Sequence, residues 1–248
     1  MGLAKMDPSS SGDVSLQKNG MDLTVERGDY DIESLEMVEF HRLLSESFRY
    51  TAKRDGILKE YLSKDDVVNT IVKSGDNVVG GYQHELKEAL GFKYLELRAV
   101  AVASGWRGGL HDLLAGIPIL SEDYTVSLVT TAIPLVAKKL KDFGYHNTKL
   151  CGNGKSLMNG FSGLVTSELI AGEPLVSLHE GFVLHSENPN SVYSLVPKRI
   201  SSGNREVDDV FLNMDRADRL VFVAEKNEKF LETATEKFKV ALESFLKE

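Results

Sequence analysis

The chain has one cysteine, Cys151, among its 248 residues. A single thiol rules out an internal disulfide and any cysteine zinc cluster, and it fits a reducing compartment. Positive charge is also scarce: 29 Lys and Arg stand against 37 Asp and Glu, a formal net charge of −8. Broad nonspecific nucleic-acid binding needs a dense basic face, so that class is set aside; a local basic groove is compatible with the balance. No apolar run approaches the roughly 18 residues of a membrane span. No basic stretch followed by an apolar one opens the chain, and MGLAKM has Met6 where a myristoylation site has Ser or Thr. The expectation is a soluble, cytoplasmic protein without a membrane partner. The six histidines show no HxxxH spacing, so no metal is expected. No GxSxG elbow exists, and GNGKS at 152–156 lacks the first glycine of a nucleotide loop, since Lys149 occupies that place.

What is present is ordinary core material, with 42% apolar residues. Residues 1–20 carry few large apolar side chains and read as a flexible tail. MDLTVERGD reads as a strand, and DIESLEMVEFHRLLSESF places apolar residues at helical spacing behind Asp31 as cap. A second helical stretch covers 55–62. SKDDVVNTIVKSGDNVVGGYQHEL reads as a hairpin around Ser74-Gly75-Asp76-Asn77. FKYLELRAVAVAS is the strongest strand. Strict alternation puts Tyr94, Glu96, Arg98, Val100 and Val102 on one face and Leu95, Leu97, Ala99 and Ala101 on the other. LHDLLAG opens a helix, TVSLVTTAI is a strand, and IPLVAKKLKDFGY is a helix with Pro134 in its first turn and Gly144 at its end.

Beyond Lys149 the pattern loosens. CGNGKSLMNGFSGLVTSELIAGEP reads as irregular, and EGFVLHS and SVYSLVPKRI as two strands around ENPN. VDDVFLN is a strand or a helix, RLVFVAE a short strand. The last segment is an amphipathic helix with Phe230, Leu231, Phe238, Val240, Ala241, Phe245 and Leu246 on one side. This order of elements predicts an α/β fold, a central mixed sheet flanked by helices, with a C-terminal extension ending in that helix.

Chemistry concentrates at SGWRGGLHDLL, after the strongest strand. The first N–H groups of a helix lack intrahelical partners, and the helix dipole favours an anion there. Gly105, Gly108 and Gly109 let the main chain approach closely, Arg107 adds a charged donor, and Trp106 can cover a ligand or simply pack. A tight strand-to-helix turn is the plain alternative.

From Leu23 to Tyr145 the succession of elements resembles the GNAT family of N-acetyltransferases, a little over half of the chain. In that family a valine-rich strand leads into an Arg/Gln-x-x-Gly-x-Gly/Ala loop and a helix, matched here by LRAVAVASGWRGGLHDLLAG. The resemblance implies that Val100, Ala101 and Val102 pair with the pantetheine arm of acetyl-CoA or another acyl-CoA. It also implies that Gly105, Trp106, Arg107, Gly108, Gly109 and Leu110 hold the pyrophosphate. The loop is one residue short, His111 stands at the final Gly/Ala of the motif, and Leu140 replaces the family's frequent general-acid tyrosine. A base must take the proton of the attacking amine. Glu96 is the first candidate, His84 with Glu85 the second, and His111 the third; Glu96 with Arg98 and Lys93 also reads as a surface charge cluster. The implied activity is acyl transfer from acyl-CoA to the amine of a small molecule or peptide. The alternatives are a GNAT-fold module that binds without transferring, and a relative with another donor or an unusual acceptor such as a nucleobase. The expected organisation is a GNAT-like domain over 21–200 and an extension over 201–248, with a homodimer left open.

Overall fold

Alternating apolar and polar residues cannot bury both their faces without a partner, and here nine such segments join into one sheet. A computed structural model gives the fold. It describes residues 14–18, 21–28, 30–48, 56, 57, 59, 60, 67–106, 109–150, 155–194 and 200–247. In chain order the elements are β1 (Val14–Lys18), β2 (Met21–Gly28), α1 (Leu35–Phe48), β3 (Val67–Ser74), β4 (Asn77–Ala89) and β5 (Phe92–Val102). Then come α2 (Leu110–Ser121), β6 (Val126–Thr131), α3 (Pro134–Asp142), α4 (Lys155–Gly160) and α5 (Ser162–Leu169). The chain finishes with β7 (Val176–His179), β8 (Val183–Ser186), α6 (Arg205–Leu212), β9 (Arg219–Glu225) and α7 (Glu228–Lys247). The expected helix at 55–62 lies mostly outside the described residues; 56, 57, 59 and 60 are helical.

The strands lie in the order β1-β2-β3-β4-β5-β6-β9-β8-β7. Every neighbouring pair is antiparallel except β5 and β6, which run parallel across α2. One face is covered by α1, through Met37, Phe40 and Leu44, and by α4 and α5, through Met158, Phe161, Val165 and Leu169. The other is covered by α2, α3, α6 and α7, with Leu113, Leu140, Phe211 and Phe245 among the buried contacts. Among the described residues no helix is long and apolar enough to cross a membrane.

Several sequence expectations change. Residues 14–18 of the expected tail form β1, paired with β2 from Val14↔Val25 to Lys18↔Met21. The stretch read as irregular contains α4 and α5: Met158, Phe161, Val165 and Leu169 recur at helical spacing, hidden by the glycines at 160 and 163. Of the expected strand SVYSLVPKRI, residues 195–199 lie outside the described residues, and SVYS is a single tight turn. The Ser191 hydroxyl accepts the Tyr193 N–H at 3.2 Å and the Ser194 hydroxyl donates to the Ser191 carbonyl at 2.7 Å, a local alternative to the ladder. The partner of β8 is therefore β7, ahead of it in the chain. VDDVFLN is helical, as α6, capped by the Asn204 side chain on the Val207 N–H. RLVFVAE, beyond the boundary expected at 201, is an interior strand, with β6 on one side and β8 on the other. In α7 the buried stripe is Phe230, Ala234, Ala241 and Phe245, whereas Val240 and Leu246 are exposed.

Candidate active site

β5 and β6 run side by side only from Tyr94↔Val126 to Leu97↔Val129. β5 then continues to Val102 and β6 to Thr131 with no rung between them. On its other flank β5 holds one residue too many. Gln83 faces Ala99 and His84 faces Leu97, so Arg98 is the extra residue of a bulge. The bulge and the separation of the strands thus fall at the same place.

The bulge reverses the alternation expected for this strand. Leu95 and Leu97 share a cluster with α3 residues, and Val100 and Val102 pack with α2 on that same face. Tyr94 packs with α5, and Ala99 and Ala101 pack with α1 on the opposite face. Glu96, opposite Glu85 on β4, therefore lies on the face away from Val100 and Val102, contrary to the sequence expectation. The Arg98 side chain is 1% exposed, although the residue as a whole is partly exposed. Its exposed surface is main chain.

A cavity of about 140 Å³ occupies the gap. Its walls are residues 97–100 of β5 and 129–133 of β6 and its following turn, with His111 and Ile119 of α2, Leu140 of α3 and Phe143 just after it on one face of the sheet. Leu44 of α1 closes the opposite face, and Val192, Tyr193 and Arg219 complete the lining. The Arg219 Nε donates to the Tyr193 carbonyl at 3.0 Å and its Nη2 to the Val192 carbonyl at 3.4 Å, which fixes that wall. The lining is mostly apolar and passes between the strands.

A second cavity, of about 120 Å³, lies against Glu60, Glu85, Glu96, Glu168 and Glu173, with Lys87. It shares Arg98, Val192 and Tyr193 with the first. Glu85 is buried and takes ion pairs from both Arg98 and Lys87. Glu168, on α5, accepts a hydrogen bond from the Tyr94 hydroxyl. Burial, and then that hydrogen bond, push the Tyr94 phenol well above its ordinary value, so it stays a donor.

The three candidate bases part company. Glu96 lines the acidic cavity and His111 the apolar one. His84 lines neither: it is fully buried on the other face, its ring stacked on Tyr82 at 5.7 Å and its Nε2 3.3 Å from Glu122. At the start of α2, burial works to raise the Asp112 carboxyl, but the hydrogen bond from His111 and the charge of Lys139 outweigh it and hold it below its ordinary value. Of the proposed pyrophosphate residues, Arg107 and Gly108 lie outside the described residues. Gly105 is exposed; Trp106 packs half-buried against the Val102 and Leu110 cluster. Gly109 adopts φ +68° directly before α2, and Leu110 is fully buried. Of the expected pantetheine contacts only Val100 lines the cavity; Ala101 and Val102 are buried beside it.

Sequence reading named Glu85 only beside His84 and Arg98 only in a surface charge cluster, and it missed Glu168 and Glu173 as wall residues. A signal for Glu85 existed: a two-residue turn at Leu90-Gly91 sets Ala89 opposite Phe92, and counting back sets Glu85 opposite Glu96. Two carboxylates face to face call for a cation nearby.

No family model matches the sequence, and no curated protein matches it. Solved structures similar to it include an aminoglycoside acetyltransferase from an uncultured soil metagenomic sample, in complex with sisomicin. That match has 18% identity and a TM-score of 0.30, over 38% of this chain and 64% of that one. A proposed acetyltransferase of the GNAT family from Desulfovibrio desulfuricans matches at 13% identity and TM-score 0.40, over 50% and 85%. A Bacillus subtilis acetyltransferase in complex with CoA matches at 16% and 0.37, over 50% and 77%. The chain thus spans less than two thirds of the length of the metagenomic acetyltransferase.

Proposed function

We propose that the protein is an acyl-CoA-dependent N-acyltransferase whose acceptor is an amine carrying more than one positive charge. The observation that carries this reading is that an apolar and an acidic cavity share the wall of Arg98, Val192 and Tyr193 at the bulge. A thioester with an amide-rich arm needs an extended slot, and the gap between β5 and β6 offers one beside Val100. The donor's anionic end is assigned to the start of α2, where the first helical N–H groups lie beside His111 and the Lys139 ammonium, itself paired with Asp112. The polar cavity on the far side supplies the acceptor site. Its five carboxylates against Lys87 and Arg98 leave an excess of negative charge that suits a polyamine or amino sugar.

In the reaction the amine nitrogen attacks the thioester carbonyl carbon, a C–N bond forms, the C–S bond breaks, CoA leaves as thiolate, and the proton still on the nitrogen passes to water. Glu96 takes the ammonium proton, directly or through water, before attack. Leu140 lines the cavity and offers no proton to the leaving thiolate. A thiol with an ordinary pKa of about 8.5 leaves without a general acid near neutral pH. The Leu140 position also favours a second reading, a module that binds the donor without transferring it.

The test is thiol release from acetyl-CoA against monoamines, diamines and longer polyamines. The expected result is kcat/KM rising with acceptor charge, a loss of kcat of roughly a hundredfold or more in Glu96→Gln, and unchanged CoA affinity in that variant. Binding of CoA without thiol release on any amine would select the second reading. Absence of CoA binding at millimolar concentration would remove both.

A further inference from the structure

At the β7 end of the sheet, β8 and the loop joining α6 to β9 bring together three potential metal ligands that line neither cavity. His185, Asp215 and Asp218 each offer one donor atom, and these atoms lie within 4.8 Å of one another. The His185 Nδ1 is 2.6 Å from the Asp218 Oδ1, and the Asp218 Oδ2 accepts the Asp215 N–H at 3.0 Å. His179, on β7, stands beside them with its ring centroid 5.4 Å from that of His185. The His185 and Asp218 side chains are only 20% and 14% exposed, so the pair is largely shielded from water. No step of acyl transfer uses any of these residues.

We propose that His185, Asp215 and Asp218 form a binding site for a divalent transition-metal ion of the zinc type, with water as the fourth ligand. Imidazole nitrogen with two carboxylates matches the donor preference of zinc and its neighbours in the first transition row. Magnesium and calcium favour oxygen ligands throughout, and the histidine disfavours them. The hydrogen bond between His185 and Asp218 holds two donor atoms close together before an ion arrives. The ligands come from two pieces of chain far apart in sequence, so an ion would tie the loop before β9 to strand β8. That loop ends at Arg219, whose guanidinium holds the Val192 and Tyr193 carbonyls on the wall shared by the two cavities. The ion would therefore brace that wall from outside.

The experiment uses the full chain, stripped with a chelator, and reads metal binding without any activity measurement. Zinc is titrated by calorimetry, and cobalt is followed by its visible d–d bands. The expected result is one equivalent of zinc bound at about micromolar or tighter dissociation constant, cobalt bands that zinc abolishes, and a higher thermal midpoint with zinc. Asp215 is exposed, so Asp215→Asn should fold normally. It and His185→Ala should each weaken zinc binding at least about tenfold, with the thermal shift lost. Zinc binding unchanged in both variants, or no cobalt bands and no heat at millimolar metal, overturns the proposal.

Discussion

Glu85 and Glu96 stand opposite each other across β4 and β5, a repulsive pairing on its own. Arg98 and Lys87 answer it by binding Glu85, and the Arg98–Glu85 pair is almost fully buried. Removing one member of such a pair leaves an uncompensated charge. Arg98→Leu should therefore cost about 3 kcal/mol in urea unfolding, and adding Glu85→Leu should recover a large part of it. A loss in the double variant equal to the sum of the two single losses would show that the two residues do not interact. Glu122 gives a prediction with a pH signature. Burial works to raise its carboxyl, but His84 and then Arg27, 2.7 Å away, hold it below its usual value of 4.5. A depressed carboxyl stabilises the fold above its unfolded pKa and loses that contribution as pH falls through the folded one. Glu122→Gln should thus cost about 2 kcal/mol at pH 7, and the gap to wild type should close as the pH drops below about 4.5. A gap that stays constant down to acid unfolding would refute this. At this scale the facing carboxylates were legible from the turn, whereas their cations were not, since nothing in FKYLELRAVAVAS marks one residue as extra.

The bulge shows where a sequence pattern stops being sufficient at the scale of elements. Both registers of β5 offer small or apolar residues from Ala99 to Val102, so composition is silent about which face each takes. What decides is packing against α1 and α2, which depends on chain far away. The glycine loop was legible as a strand-to-helix turn, and Gly109 does open α2. Its reason is different from the expected one: a Cβ there would lie 2.8 Å from the Ala241 carbonyl oxygen and 3.0 Å from the Phe245 Cβ, both on α7. Gly109→Ala should destabilise by about 1–3 kcal/mol through backbone strain alone and weaken CoA binding with it. Gly105→Ala meets nothing within 4 Å and should leave the thermal midpoint unchanged. Equal midpoints for the two variants would contradict the role given to Gly109. On α5, Glu168→Gln should raise KM for a polyamine several-fold and leave KM for a monoamine within about twofold.

For the whole molecule, α7 is part of the core. Phe230 and Ala234 enter the cluster around α3 and α6, while Ala241 and Phe245 enter the one around α2. Truncation after Glu225 should leave Leu113, Leu114 and Ile119 uncovered and yield an aggregating chain, readable by light scattering. A soluble truncated chain with native circular dichroism would refute this. The mixed sheet with flanking helices was legible because its strands up to β6 follow one another in sequence. The far end was not, because β9 belongs between β6 and β8, a placement that no local pattern encodes.

That placement sets an order on synthesis. Val126 and Glu225 are rung partners about a hundred residues apart. Until β9 leaves the ribosome, β6 presents a bare hydrogen-bonding edge, and β7 and β8 have no sheet to join. The nascent chain thus passes through a long interval with an open, sticky margin on a nearly finished half, the stage at which misassembly and chaperone capture concentrate.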